Sequence, residues 1–291
     1  MGDAMRTTRV AAVAAPFGRD LEQCFSRIGR VIALARARGV RLLALPEACL
    51  GGYLASMEWA DNDGEPAAGA DAPPALDPDG PEIQRLAALA GDLVVCAGYC
   101  ESGAEGARYN SAVCVTGDGV LGRHRKVHQP LGEPAAYSAG DHFGAFDTPV
   151  GRIGMMICYD KAFPEAAKAV AADGALIGVC LSAWPASRTN PSPDLSRDRW
   201  TRRFDLFDQV RAVENQLVWL SANQSGQFGD LRFVASAKVV DPGGDILATT
   251  GTAAGAAIAD LDLDEAVGLA RRAMAGRIQP PMRQPTQAIA S

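Results

Sequence analysis

Buried-strand patterns alternate with helical ones along almost the whole chain, and no other feature constrains the fold as much. Arg9 to Val13 is a short apolar run. After it, Asp20 caps a helix whose apolar positions Leu21, Phe25, Ile28, Ile32 and Ala35 keep helical spacing up to Gly39. Arg41 to Pro46 reads as a buried strand. Pro81 opens a helix with Ile83, Leu86 and Leu89 on one face and Gly91 as its stop, and Leu93 to Tyr99 is the next buried strand. Ser111 to Thr116 and Val120 to His124, around Gly117-Asp118-Gly119, predict a hairpin. A second block follows: strand Ile153 to Cys158, helix Pro164 to Ala172, strand Ala175 to Ser182. A long helix is marked by Trp200, Phe204, Phe207, Val210, Val213 and Leu217, and a strand runs from Leu217 to Ala222. Phe233 to Val240 and Ile246 to Thr249, around Asp241-Pro242-Gly243-Gly244, predict another hairpin, and Ala256 to Leu261 a last strand. Two similar blocks of this kind predict an α/β fold with mixed sheets around one shared core. No stretch has linker composition, so residues 1–291 read as a single domain. Its core spans about 8–263, and a Pro- and Gln-rich tail from about 277 to 291 reads as extended.

Composition removes several function classes. Lys+Arg 28 against Asp+Glu 34 gives a net charge of −6, which disfavours sequence-independent nucleic-acid binding. No uncharged run reaches membrane-spanning length, and residues 1–13 carry no apolar signal region. Seven cysteines without paired spacing read as reduced thiols of a cytoplasmic protein. Only four of the basic residues are lysines, Lys126, Lys161, Lys168 and Lys238, so a lysine flanked by Arg123 and Arg125 stands out. From Leu42 to Gln84 there is no Lys or Arg, while acidic residues accumulate; residues 55–80 read either as a solvated acidic excursion or as a lid.

In α/β sheets ligands gather beyond the carboxyl ends of strands, so polar residues leaving buried strands are the first site candidates. Glu47 follows RLLALP, Lys126 follows the first hairpin, and Cys158 ends RIGMMIC. A thiol attacks as thiolate, a buried glutamate can take its proton, and an ammonium can hold the thiolate and then an oxyanion. Taken alone, each residue also fits a structural role; Cys24, Cys96, Cys114 and Cys180 read as inert core cysteines. His124 and His128 lie four apart, but in a hairpin exit rather than a helix, with only Asp141 and His142 as further ligands; a metal site is therefore a minor reading, as is a Cys158–His pair. No GxGxxG or Walker loop is present.

Leu45-Pro46-Glu47 with Gly52-Tyr53, Arg125-Lys126-Val127-His128, Gly132-Glu133 with Gly140-Asp141, and Ile157-Cys158-Tyr159-Asp160 with Phe163-Pro164-Glu165 occur in that order. Tyr109-Asn110-Ser111, Ser182-Ala183-Trp184-Pro185, Arg211 to Asn215, Ala222-Asn223 and Asp241 to Gly244 extend the series. Together they resemble the nitrilase superfamily of carbon–nitrogen hydrolases, in its amidase-like branch, over about Val10 to Pro285. The resemblance implies an α-β-β-α sandwich of two mixed sheets that stacks into a larger sandwich on dimerisation. It implies a triad of Glu47, Lys126 and Cys158, with Glu133 orienting Lys126 and the substrate amide. Oxyanion donors would be Lys126 and the backbone N–H of Tyr159; Tyr53, Trp184 and His128 complete the substrate-binding candidates. No metal or organic cofactor is implied, and the partner is a small amide or nitrile. Lys161-Ala162 stands where many members carry an arginine, which speaks against carbamoyl-amino-acid substrates, and Tyr159-Asp160 is closer to amide hydrolases than the Trp-Glu usual in nitrilases.

The leading expectation is an amidase working through a cysteine thioester, giving acid plus ammonia or amine. Alternatives are a nitrilase with the same triad, an amide-forming acyl transferase and a non-catalytic binding member. Arg188, Arg197, Arg199, Arg202 and Arg203 can attract a carboxylate, but Asp194, Asp198, Asp205 and Asp208 interleave with them and read as a solvated helix face.

Overall fold

The computed structural model describes residues 7–57 and 72–273. The first half comprises β1 (Thr7–Ala15), α1 (Leu21–Ala37), β2 (Leu42–Ala44), α2 (Pro81–Ala90), β3 (Val94–Ser102) and the hairpin of β4 (Arg108–Thr116) and β5 (Gly119–Arg125). The second comprises β6 (Ala145–Thr148), β7 (Gly151–Ile157), α3 (Pro164–Ala172), β8 (Ile177–Ser182), α4 (Arg199–Asn215) and β9 (Val218–Phe228). It continues through β10 (Leu231–Val234), β11 (Lys238–Val240), β12 (Ile246–Thr249), β13 (Gly255–Asp262) and α5 (Leu263–Ala273). Local chemistry sets the helix ends. Asp20 Oδ1 accepts from the Gln23 N–H at 3.0 Å, prolines open α2 and α3, and Gly91 ends α2 at φ 54°.

Strand order is β5-β4-β3-β2-β1-β9-β8-β7-β6, with parallel pairs at the centre and antiparallel pairs outside, as a mixed sheet requires. Alternating side chains sort into layers. Val10, Ala12, Leu42, Ala44, Val94 and Cys96 face Met155, Ile157, Val179, Leu181 and Leu220 across the middle of the molecule. Their neighbours Ala11, Val13, Leu43 and Val95 turn outward onto Ile28, Ile32, Ile83 and Leu86 of α1 and α2. Met156, Cys180 and Trp219 turn the other way, onto Ala166, Val170 and Ala212 of α3 and α4. The result is an α-β-β-α sandwich. Its two sheets are not separate: Ala14–Asn223 and Ala15–Gln224 pair β1 with β9 and join them into one hydrogen-bonded path.

Several expectations need correction. The Phe233–Val240 strand is interrupted, because Ala235 and Ser236 take left-handed backbone at φ 58° and 53°. β10 before the break therefore pairs with the far end of β9, from Ser225 to Phe228, while β11 after it pairs with Trp219 to Ser221 of β9 and with β12. The strand expected through Cys158 stops at Ile157, and Cys158 opens a short 3-10 turn, Cys158–Ala162. The last helix, α5, carries order to Ala273, beyond the expected core limit near 263. The interleaved aspartates are not one solvated face. Asp198 caps α4 through the Trp200 N–H, and Asp208 is fully buried between Lys161 and Lys238. The tail from about 277 and the centre of the acidic 55–80 stretch lie outside the described residues. Among the described residues no helix is long and apolar enough to cross a membrane.

Candidate active site

Three loop entries converge. Glu47 lies just past β2, where Gly98 of β3 makes room: a Cβ there would stand 2.6 Å from Glu47 Cα and 2.5 Å from Ala48 N. Lys126 follows β5, and its backbone N–H bonds the Asn110 carbonyl at 2.8 Å. Glu133 opens a 3-10 turn after Gly132, whose φ of 96° and closeness to the Met57 carbonyl call for glycine. Cys158, after β7, holds φ 49°, a costly conformation for a side-chain-bearing residue. All four side chains are buried.

Lys126 Nζ donates to Glu133 Oε1 at 2.6 Å and to Glu47 Oε1 at 3.0 Å. The same two oxygens receive a second donor, Asn110 Nδ2, at 3.2 and 2.6 Å. Tyr53 OH donates to Glu133 Oε1 at 2.5 Å, and the Ala183 N–H to Glu47 Oε2 at 2.5 Å. Every Glu47 oxygen is thus occupied, whereas Glu133 Oε2 is buried with no partner.

Burial alone would pull the Lys126 ammonium down, but Glu133 and Glu47 outweigh it and hold it well above its ordinary value. Burial, and then Glu47, outweigh Lys126 for Glu133 and push it up to about 7. Burial and Glu47 also push the Cys158 thiol well up, against the pull of Lys126. Resting Cys158 is therefore a thiol, and attack requires its proton to move to a neighbour.

The remaining predicted residues spread around this centre. Tyr53 joins it through Glu133. Trp184 is buried beside Ala183, its backbone N–H on Asn223 Oδ1 at 2.8 Å and its Nε1 on the Trp200 carbonyl at 3.1 Å. Tyr159 is half-buried, 6.4 Å from the Trp184 ring and edge-on to Phe163 at 5.3 Å. His128 stacks on Phe163 at 3.9 Å, and its backbone N–H bonds Asp160. His124 faces Asp160 as well, with Nε2 at 3.0 Å. The other six cysteines are free and buried, and burial raises Cys24, Cys49, Cys100 and Cys180.

Asn110 was not singled out by sequence beyond its place in Tyr109-Asn110-Ser111. Its one local signal is a carboxamide two residues before the apolar run Ala112 to Val115 of β4. Lys161, noted as a departure, is fully buried on Asp208 at 2.7 Å, with the Phe204 ring centroid 3.1 Å from its Nζ. Burial lowers its ammonium.

Residues 9–271 match the family model for carbon–nitrogen hydrolase. An (R)-stereoselective amidase of Pseudomonas sp is 29% identical over 85% of this chain and 83% of that one. A probable nitrilase of Schizosaccharomyces pombe is 35% identical, but the match spans only 48% of this chain and about half, 47%, of that protein. The fold matches a carbon–nitrogen hydrolase from Helicobacter pylori G27 with a TM-score of 0.79, at 23% identity and 94% coverage of both chains. With the match running from β1 into α5, the chain belongs to the carbon–nitrogen hydrolase family, within the nitrilase superfamily.

Proposed function

We propose that this protein hydrolyses small linear amides through a thioester on Cys158. One observation carries the reading: a buried lysine clamped by two glutamates lies within electrostatic reach of a buried cysteine held in left-handed backbone. Cys158 Sγ attacks the amide carbon while its proton passes to Glu47. Lys126 Nζ and the Tyr159 backbone N–H hold the oxygen that becomes negative. Glu133 Oε2, the unpartnered carboxylate oxygen, accepts from the substrate N–H and orients the amide. The carbon–nitrogen bond breaks as Glu47 returns its proton to the leaving ammonia or amine. Water then gives a proton to Glu47 and attacks the thioester carbon, which releases the acid and restores the thiol. Tyr53, Trp184 and His128 complete the walls of the site, and neither metal nor organic cofactor enters these steps. Glu47→Gln should stall deacylation, so mass spectrometry after incubation with amide should find Cys158 heavier by the acyl fragment. Turnover by Cys158→Ala would defeat the reading.

The probable nitrilase among the relatives favours a second reading, a nitrile attacked by the same thiol. Ammonia release from a matched amide and nitrile on one preparation separates the two. The same family likeness carries the proposals that residues 1–291 form one domain, that the protein is cytoplasmic and that it works as a homodimer or higher homo-oligomer; light scattering in solution tests the last.

A further inference from the structure

Asp160, two residues beyond Cys158, is a fully buried carboxylate with no task in the steps above. Its Oδ1 accepts from the backbone N–H groups of His128 at 2.8 Å and Val127 at 3.2 Å. Its Oδ2 accepts from the Ile157 N–H at 3.0 Å and lies 3.0 Å from His124 Nε2. The carboxylate can only accept, so His124 carries its proton on Nε2. Burial alone would raise Asp160, but the donors of His124 and His128 hold it well below the usual carboxylate range. A buried charge is costly unless bonded this fully.

The donors come from two places. Val127 and His128 directly follow Lys126; Ile157 directly precedes Cys158. Asp160 therefore ties the exit of β5 to the exit of β7, although 31 residues separate Lys126 from Asp160's own turn at Ile157. Aromatic stacking reinforces both arms: His124 lies on Phe143 with centroids 5.3 Å apart, and His128 on Phe163, which closes the Cys158 turn. Left-handed backbone at a non-glycine residue persists only where the surroundings over-determine it, and Cys158 sits between Ile157 and Asp160, the two ends of one of these bonds.

We propose that Asp160 is a positioning residue that fixes the nucleophile turn against Lys126 and so aligns the two oxyanion donors, Lys126 Nζ and the Tyr159 N–H. This rests on the triad reading above. Alignment matters most once charge has moved onto the substrate oxygen, so its loss appears in kcat rather than KM.

The test is steady-state kinetics with a small amide on Asp160→Asn, His124→Ala, His124→Gln and Cys158→Ala, beside thermal melts. Asp160→Asn keeps the size but turns N–H donors toward N–H donors; kcat should fall about 100-fold with KM changed less than about twofold. His124→Ala should lose roughly tenfold in kcat, and His124→Gln, which places an N–H donor near the former Nε2, should recover to within about threefold of wild type. If Asp160→Asn does not fold, the two His124 variants decide alone. Wild-type kcat in Asp160→Asn or His124→Ala, or a loss carried by KM, with Cys158→Ala inactive, overturns the inference and leaves the triad reading standing. Turnover by Cys158→Ala overturns both.

Discussion

Two carboxylate oxygens, Glu47 Oε1 and Glu133 Oε1, are held together by two different donors, one charged and one neutral. Lys126 is the charged one, fully buried with its ammonium on both carboxylates, where arginine would put a larger planar fork in place of a compact point charge. Lys126→Arg should therefore lose at least about 100-fold in kcat, comparable with losing an oxyanion donor outright; near-normal turnover would reduce Lys126 to a generic cation. Asn110 is the neutral one. Asn110→Ala removes a donor from both carboxylates, and Glu133 then binds its proton more readily, so the acid limb of kcat/KM should move to higher pH. The other ionisable groups facing them, Lys126, Tyr53, Tyr137 and Cys158, stay in place. A pH–rate profile measured beside wild type checks this, and coincident curves would make Asn110 a spectator. At this scale the sequence was most readable where a reactive side chain leaves an apolar strand, as Glu47, Lys126 and Cys158 do. Asn110 and Asp160 were harder to read, because Asn110 works on carboxylates 23 and 63 residues away and Asp160, apart from the nearby Ile157 N–H, on partners 32 to 36 residues away, which spacing does not reveal.

Elements reach the site through what they omit as well as what they carry. Gly98 lets the backbone after β2 lie flat on β3, and Gly98→Ala would drive a methyl into Glu47 and Ala48. We expect a stability loss of about 1–3 kcal/mol with a disproportionate fall in kcat, read by melts and kinetics on one sample. Ile28→Ala on the far face of α1 should cost about 2–5 kcal/mol and leave kcat of the folded fraction unchanged, since Ile28 packs only in the outer layer. Helices α1 to α3 were legible from a start signal, the Asp20 cap of α1 and the prolines that open α2 and α3, and α4 from its spaced aromatic and apolar positions. The break at Ala235 and Ser236 was not, because alanine and serine give no sign of left-handed backbone. β6 was missed as well: its four residues are half-exposed at a sheet edge and show no buried run.

On the scale of the molecule, the site exists only where the two sheets meet. Glu47 enters from the first half, and the Ala183 N–H that bonds it comes from the second, with Gln224 Nε2 holding the Glu47 carbonyl at 2.9 Å. Protonation couples this junction to stability. Glu133, raised to about 7 from an ordinary 4.5, keeps a proton in the fold that the unfolded chain has already released. Its contribution therefore favours the fold below the lower value and is lost as pH rises through the upper one. Relative to Glu133→Gln, wild type should lose thermal stability between about pH 5 and about pH 8, just as Glu133 ionises and becomes an acceptor for the substrate. The scarcity of lysine has a meaning that the fold completes. Lys126, Lys161 and Lys238 are all sealed inside, and only Lys168, on α3, is exposed. Active esters acylate free amines and pass over guanidinium groups, so the folded protein offers them a single lysine side chain. Of the four lysines only this one, at a known point of α3, would take a dye, tether or surface linkage, and the appearance of further labelled lysines would report unfolding, lysine by lysine.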